Sequence, residues 1–168
     1  MVWVKRLAAL GFIVVLLGGL WARYTLRSSL AQLDGEAILP GLSKPATVER
    51  DALGVATITG ESRSDVTRVL GFVHAQERFF QMDLSRRQAA GELAALFGEA
   101  ALPLDRRHRL HRMRRHAEKS VSLSRENDDE ILTAYTDGVN AGLEALEAPP
   151  FEYLLLRQTP EPWRVEDS

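Results

Sequence analysis

The sequence predicts an α+β chain, mostly helical, preceded by a membrane-anchor helix. Three observations carry that reading. Leu7 to Ala22 is a run of sixteen residues without a charge. From Val66 to Phe97 apolar residues recur at helical spacing with no proline. Only one pair of short β-favouring runs is present, Thr47–Arg50 and Val55–Thr59. At 168 residues, 45% hydrophobic and 26% charged, the chain has the composition of a globular protein. A formal charge of -2 gives no reason to expect nucleic acid as a partner. With no cysteine, disulfides, thiolate nucleophiles and cysteine metal sites are all excluded.

Residues 1–28 are expected to form a signal anchor. Lys5 and Arg6 precede the uncharged run, Arg23 and Arg27 follow it, and Trp3 and Trp21 bracket it as interfacial aromatics do. Its length falls between a signal-peptide core and a spanning helix, and Ser29-Leu30-Ala31 resembles a cleavage site set rather far from the apolar core. An uncleaved anchor is therefore preferred to a cleaved signal, with the membrane contacted through residues 7–22 and the bulk of the chain outside the cytoplasm. Residues 29–45, polar and marked by Gly35, Pro40, Gly41 and Pro45, are expected to be a linker leading away from the membrane.

Residues 46–168 hold the structured part. Asp51-Ala52-Leu53-Gly54 separates the two β runs as a turn, giving a hairpin. Two strands alone are marginal in water, so the hairpin is expected to join strands supplied from elsewhere. Ser62 or Ser64 should cap the long helix, with Asp65 in its first turn. Gly98 should end it, and Gly91 offers a point of division. A second helix is expected from Leu104 to about Ser120. A third follows an Asn127…Glu130 capping box and runs to Leu146. Pro149-Pro150 stops it, Phe151–Leu156 is an apolar turn or short helix, and Thr159–Trp163 is held extended by its prolines. The chain ends without a closing helix or polar tail, and 46–168 is expected to be an incomplete domain.

Chemistry is hard to find in these residues. Glu77, Asp83 and Glu92 are candidates for a paired acid and base, but Asp83 stands three and four residues before Arg86 and Arg87, the spacing of helix ion pairs. His108 and His111 share a predicted helix face, yet His116 falls off it and no third metal ligand is at hand. His74 reads as a core histidine. Seven arginines and lysines lie between Arg106 and Lys119 without interleaved aromatics, which suits a solvated or intramolecular role better than phosphate binding. No serine sits in a nucleophile elbow and no glycine-rich phosphate loop is present. The residues alone give no catalytic constellation.

Their order along the chain is more informative. Arg50-Asp51-x-x-Gly54-Val55-x-x-Ile58 is followed by Gly71-Phe72-Val73-His74-Ala75-Gln76-Glu77-Arg78-Phe79-Phe80-Gln81-Met82-Asp83-Leu84-x-Arg86-Arg87. Then come Gly91-Glu92-Leu93, Gly98, Tyr135-x-Asp137-Gly138-Val139-Asn140-Ala141 and Pro160-Glu161-Pro162-Trp163-x-x-x-Asp167. This series resembles the N-terminal part of the penicillin acylase (penicillin amidase) family. It departs from it at Ala56-Thr57, where Pro-His is frequent, and at Glu77, where Asp is common.

The resemblance implies the N-terminal part of a four-layer αββα N-terminal-nucleophile (Ntn) hydrolase sandwich. It also implies an exported precursor that cleaves itself into α and β chains. The nucleophile is the new N-terminal residue of the β chain, with its own α-amine as base. Small acyl amides such as β-lactam side chains or acyl-homoserine lactones are the implied substrates, and calcium in the complete enzyme is the implied metal. No position in 1–168 matches the family nucleophile, so no catalytic, cofactor-binding or metal-binding residue is assigned, and this chain alone is expected to be inactive. The alternative is a short membrane-anchored, non-catalytic interaction protein that retains the helical module.

Overall fold

The computed structural model describes the backbone of residues 2–168 and all their side chains except those of residues 2, 4, 5, 8, 9, 126 and 127. It is mostly helical with one two-stranded sheet. The first helix, α1 (Val2–Ser28), stands clear of the rest, and its Leu10–Ser28 portion is long and apolar enough to cross a membrane. Strands β1 (Thr47–Arg50) and β2 (Ala56–Thr59) pair antiparallel, Val48 opposite Ile58. Asp51 builds the turn as expected. Its carboxylate accepts the N–H groups of Leu53 (2.8 Å) and Val55 (2.9 Å), and Gly54 takes the positive φ of 79° that closes it.

The long helix α2 (Arg63–Ala90) is capped by Ser62, whose hydroxyl accepts the Asp65 N–H at 3.0 Å. It ends earlier than Gly98. Gly91 adopts the left-handed conformation (φ 72°) and its N–H returns to Arg87 and Gln88, a C-terminal cap that glycine adopts without strain. Gly98 instead closes the short α3 (Ala94–Phe97), and a 3₁₀ turn, Gly98–Ala101, leads on. Within α2, Arg78 leaves helical geometry (φ -143°, ψ 20°), kinking the rod where Glu77 pairs with Arg50 of the hairpin.

The single second helix expected from Leu104 to Ser120 is two helices, α4 (Leu102–Arg109) and α5 (Met113–Ser122). Arg112 breaks them apart with φ 50°, a left-handed position that neither glycine nor proline marks in the sequence. The third helix, α6 (Glu126–Glu144), begins before the expected cap. Arg125 is its extended N-cap residue and makes no side-chain cap bond, while Asn127, expected as the cap, already lies within the helix. The Asn127 side chain lies outside the described residues. α7 (Phe151–Leu156) and a 3₁₀ turn (Val165–Asp167) complete the chain.

α2 and α6 make the central layer, and glycines set their separation. A Cβ on Gly138 would fall 1.9 Å from the Arg68 carbonyl oxygen, and one on Gly71 would fall 2.3 Å from that of Tyr135. The core on this contact is Ala75, Phe79, Leu96, Val139, Tyr153 and Trp163. Residues 29–45 lie against α2. The Gln32 N–H donates to Gln76 Oε1 (3.2 Å), and Ser43 meets Asp65. Between this segment and α2 is a cavity of about 630 Å³ lined by Leu33, Leu39, Val48, Phe72, Val73 and Gln76, among others.

Candidate functional site

The densest polar chemistry lies on the last two turns of α2, where Asp83, Arg86 and Arg87 face inward instead of into solvent. Helical spacing alone would give surface ion pairs worth little. Here the three are buried, Asp83 completely. Its Oδ1 accepts from Arg86 Nε (2.7 Å) and Arg87 Nε (3.0 Å). Its Oδ2 accepts from Arg87 Nε (2.9 Å) and from the Tyr153 hydroxyl of α7 (2.6 Å). Two cations thus compensate a charge that would otherwise be very costly to bury. Burial, and then the bond to the Asp83 carboxylate, push the Tyr153 phenol well above its ordinary pKa, so it keeps its proton and donates.

Arg86 then reaches the C-terminal segment. Nη1 donates to the Pro162 carbonyl and to Asp167 Oδ2, both at 2.8 Å, and Nη2 to the Glu161 carbonyl at 2.9 Å. The guanidinium also lies over the Trp163 ring, 5.0 Å from its centroid. Prolines 160 and 162 cannot donate from their nitrogens, so this extended stretch is held by its carbonyls. Asn140 of α6 grips Trp163 from the other side. Its Oδ1 accepts the Trp163 N–H (2.8 Å) and its Nδ2 donates to the Trp163 carbonyl (3.0 Å). Arg114 closes the ring of charges, donating to Glu92 Oε2 (2.9 Å) and Asp167 Oδ1 (3.1 Å). A pocket of about 300 Å³ lies beside it, lined by Arg87, Glu92, Arg114, Glu161, Arg164 and Asp167 together with Arg86 and Ala95.

The three carboxylates singled out from sequence do not converge. Glu77 pairs with Arg50, Asp83 with Arg86 and Arg87, and Glu92 with Arg114. Three donors engage Asp83, with the Arg87 Nε–H shared between its two oxygens, and the carboxylate is fully buried, so neither oxygen is open to a substrate. Chemically the arrangement is a clamp that fastens α2, α6, α7 and the C-terminal turn together. His108 and His111 are separated by the end of α4, and among the described residues no three His, Asp or Glu side chains converge as metal ligands. His74 stands 2.9 Å from the Tyr135 hydroxyl. Burial lowers its pKa, a shift Glu77 opposes and Arg78 reinforces. Of the basic run, Arg109 donates to the Gly91 carbonyl and Arg114 joins the clamp, while Arg106, Arg107, Arg112 and Arg115 are exposed.

Two buried carboxylates have distant partners that the sequence reading did not foresee. Asp105 of α4 accepts the N–H groups of Leu93 (2.9 Å) and Ala94 (2.8 Å), capping α3 from outside it. Asp65 accepts both the N–H (2.8 Å) and hydroxyl (2.6 Å) of Ser43. Those bonds, the hydroxyl's first, hold its pKa down to about 2. Each joins positions more than ten residues apart, beyond the reach of local motif rules. Tyr153, by contrast, had no sequence signal other than its place in the mainly apolar Phe151–Leu156 stretch.

Comparison with known proteins gives the clamp a setting. The sequence model of the penicillin amidase family matches residues 45–168. The chain is 40% identical over 141 residues to "Penicillin acylase 2 proenzyme" of Pseudomonas sp. strain SE83, covering 84% of this chain and 18% of that protein. It is 33% identical over 143 residues to "Acyl-homoserine lactone acylase QuiP" of Pseudomonas fluorescens, again covering 84% of this chain and 18% of the relative. The fold matches the thermostable penicillin G acylase of Alcaligenes faecalis with a TM-score of 0.66 and 30% identity, over 73% of this chain and 67% of that one. The chain thus spans about a fifth of the length of these curated relatives. The motif order from Arg50, the family match over residues 45–168 and the fold likeness point the same way, and the chain belongs to the penicillin amidase family.

Proposed function

We propose that this chain is the N-terminal portion of an exported, membrane-anchored amide hydrolase that cleaves small acyl amides such as β-lactam side chains or acyl-homoserine lactones. In this reading the nucleophile is the first residue of a β chain released from the same precursor, and residues 46–168 contribute structure to it. The observation that carries the proposal is the 40% identity to a penicillin acylase proenzyme, spread over 141 residues. A fully engaged Asp83 and dispersed carboxylates agree with a supporting role. The hairpin, with neither outer edge paired among the described residues, suits the start of the sheets of a four-layer αββα sandwich. Asp65, Asp83, Asp105 and Asp167 are all engaged by protein donors. These four carboxylates therefore offer no calcium site, and in this reading the metal implied by the resemblance belongs to the rest of the complete enzyme, mostly its β chain.

A chimera tests this directly. The matching N-terminal part of the Pseudomonas penicillin acylase 2 proenzyme is replaced by residues 29–168 of this chain and the product assayed for chain cleavage and for hydrolysis of a chromogenic acyl amide. Cleavage into two chains with amide turnover is the expected result. A soluble, folded chimera that neither cleaves nor hydrolyses would refute it.

A further inference from the structure

The end of α1 is tied to the body of the protein at a specific place. The Ala148 N–H donates to the Ser28 carbonyl at 3.0 Å, and Ser29, the next residue, is buried. A helix built to span a membrane is thereby fixed where α6 gives way to α7, 120 residues further along the chain. Around that point lies an unusual set of side chains. Leu30 is 67% exposed and Leu155 77%, and Phe151 and Leu154 are also on the surface. α7 is amphipathic about this arrangement. It sends Tyr153 into the core and half-buries Leu156, leaving Phe151, Leu154 and Leu155 outward. Exposed charges of both signs lie close by in the chain, Arg23 and Arg27 on α1, Arg157 at the end of α7, and Glu144 and Glu147 before Ala148, with Trp21 and Tyr24 on the helix itself.

We propose that this collar, Leu30 with Phe151, Leu154 and Leu155, is a second membrane contact that seats the domain in the headgroup layer beside the anchor. The proposal rests on the anchor reading of α1. Depth supports it. The uncharged run ends at Ala22, six residues before Ser28, a rise of about 9 Å. The headgroup layer on each side of a bilayer is roughly 5 to 7 Å thick. The sixteen-residue run itself rises only about 24 Å, about 6 Å short of the roughly 30 Å hydrocarbon core. When it is centred, Ser28 therefore stands about 6 Å beyond the hydrocarbon edge, in the outer part of the headgroup layer, where apolar groups and arginines are both accommodated and aromatic belts form. A free tether would let the domain leave the surface. A helix end bonded to Ala148 holds this one patch against it.

The absence of native cysteine makes the test simple. Leu16→Cys, Leu155→Cys and Leu53→Cys variants of the full chain are each labelled with an environment-sensitive fluorophore and placed in nanodiscs of phosphatidylcholine and phosphatidylglycerol. The nanodiscs carry a quencher either on the headgroup or deep in the acyl chain. The label at position 16 should be quenched by the deep probe. The label at 155 should be blue-shifted and quenched by the headgroup probe, and the label at 53, on the hairpin turn, by neither. Quenching at 16 with position 155 as wet as position 53 would overturn the collar and leave the anchor standing. A blue-shifted 155 indifferent to both quenchers would mean that protein covers it, which also refutes the proposal. Loss of quenching at 16 would remove the anchor and the collar together.

Discussion

A single carboxylate, Asp83, takes three donors, one of them shared between its two oxygens, in a place no water reaches. Its replacement asks what the clamp contributes. Asp83→Asn keeps the shape but removes the charge that Arg86 and Arg87 were buried against, and breaking a buried pair from one side costs about 3–5 kcal/mol. Tyr153→Phe removes one donor and keeps the ring, so a smaller loss is expected, about 1.5–3 kcal/mol for a bond to a charged group. Denaturant midpoints of the two variants should follow that order. In the chimera, Asp83→Asn should lower the yield of cleaved enzyme while turnover per active site stays near normal. Normal cleavage with abolished turnover would instead return Asp83 to the catalytic list. Asp65 gives a second residue-scale prediction, on pH. Its folded pKa of about 2 lies below that of a free carboxyl. Its stabilising contribution is therefore fully present above about pH 4 and is lost as pH falls toward 2. Ser43→Ala removes the hydroxyl that contributes most to the shift, so its stability relative to wild type should converge with decreasing pH across that window. A parallel offset at all pH values would show that Asp65 is not the linked group.

At the scale of elements, the α2–α6 contact decides whether the helical layer forms. Gly138 has helical geometry and no need of glycine's freedom; it is glycine because the Arg68 carbonyl occupies the space of a side chain. Gly138→Ala should force the helices apart and cost about 3 kcal/mol or somewhat more, at the upper end for overpacking. Gly98→Ala is the comparison: its Cβ would meet nothing within 4 Å, and only the backbone opposes it, φ 67° with ψ -152° being a region kept almost to glycine, which costs about 1–3 kcal/mol. Thermal melts should rank the two in that order. These glycines also mark what could be read from sequence. The periodic run predicted α6, and motif order predicted the family, because both depend on local pattern. The break at Arg112 was not legible. Arginine is an ordinary helix former, and the left-handed turn is imposed by α4 docking through Asp105 and Arg109 while α5 docks through Arg114. Gly91 and Gly98 both looked like helix ends, and only tertiary contact of Gly91 with Arg109 showed which one closes α2. The clamp was visible as spacing, but not its burial, since Pro162, Asp167 and Tyr153 approach it from 70 or more residues away.

The whole molecule exposes more surface than its mass requires. A compact monomer of 18.7 kDa is expected to show about 8,300 Å². This chain shows 12,088 Å². Part of the excess is α1, which stands free, and part surrounds the hairpin, whose two strands pair with no other strand among the described residues. An isolated hairpin is marginally stable at best in water. The α2–α6 layer, by contrast, has its own core and its own clamp. The two parts should therefore differ in opening free energy within one chain, and hydrogen exchange measures that difference. In the nanodisc-bound chain the amides of Val48, Arg50 and Ile58 are expected to exchange far faster than those of Ala75, Phe79 and Val139. In the chimera with the penicillin acylase 2 proenzyme they should slow toward the rates of the helical layer, because strands supplied by the rest of that protein would pair with the hairpin edges. Hairpin amides as protected in the chain alone as those of α2 would show that the sheet is self-sufficient. That would remove the physical reason for assigning residues 46–168 to a larger sandwich.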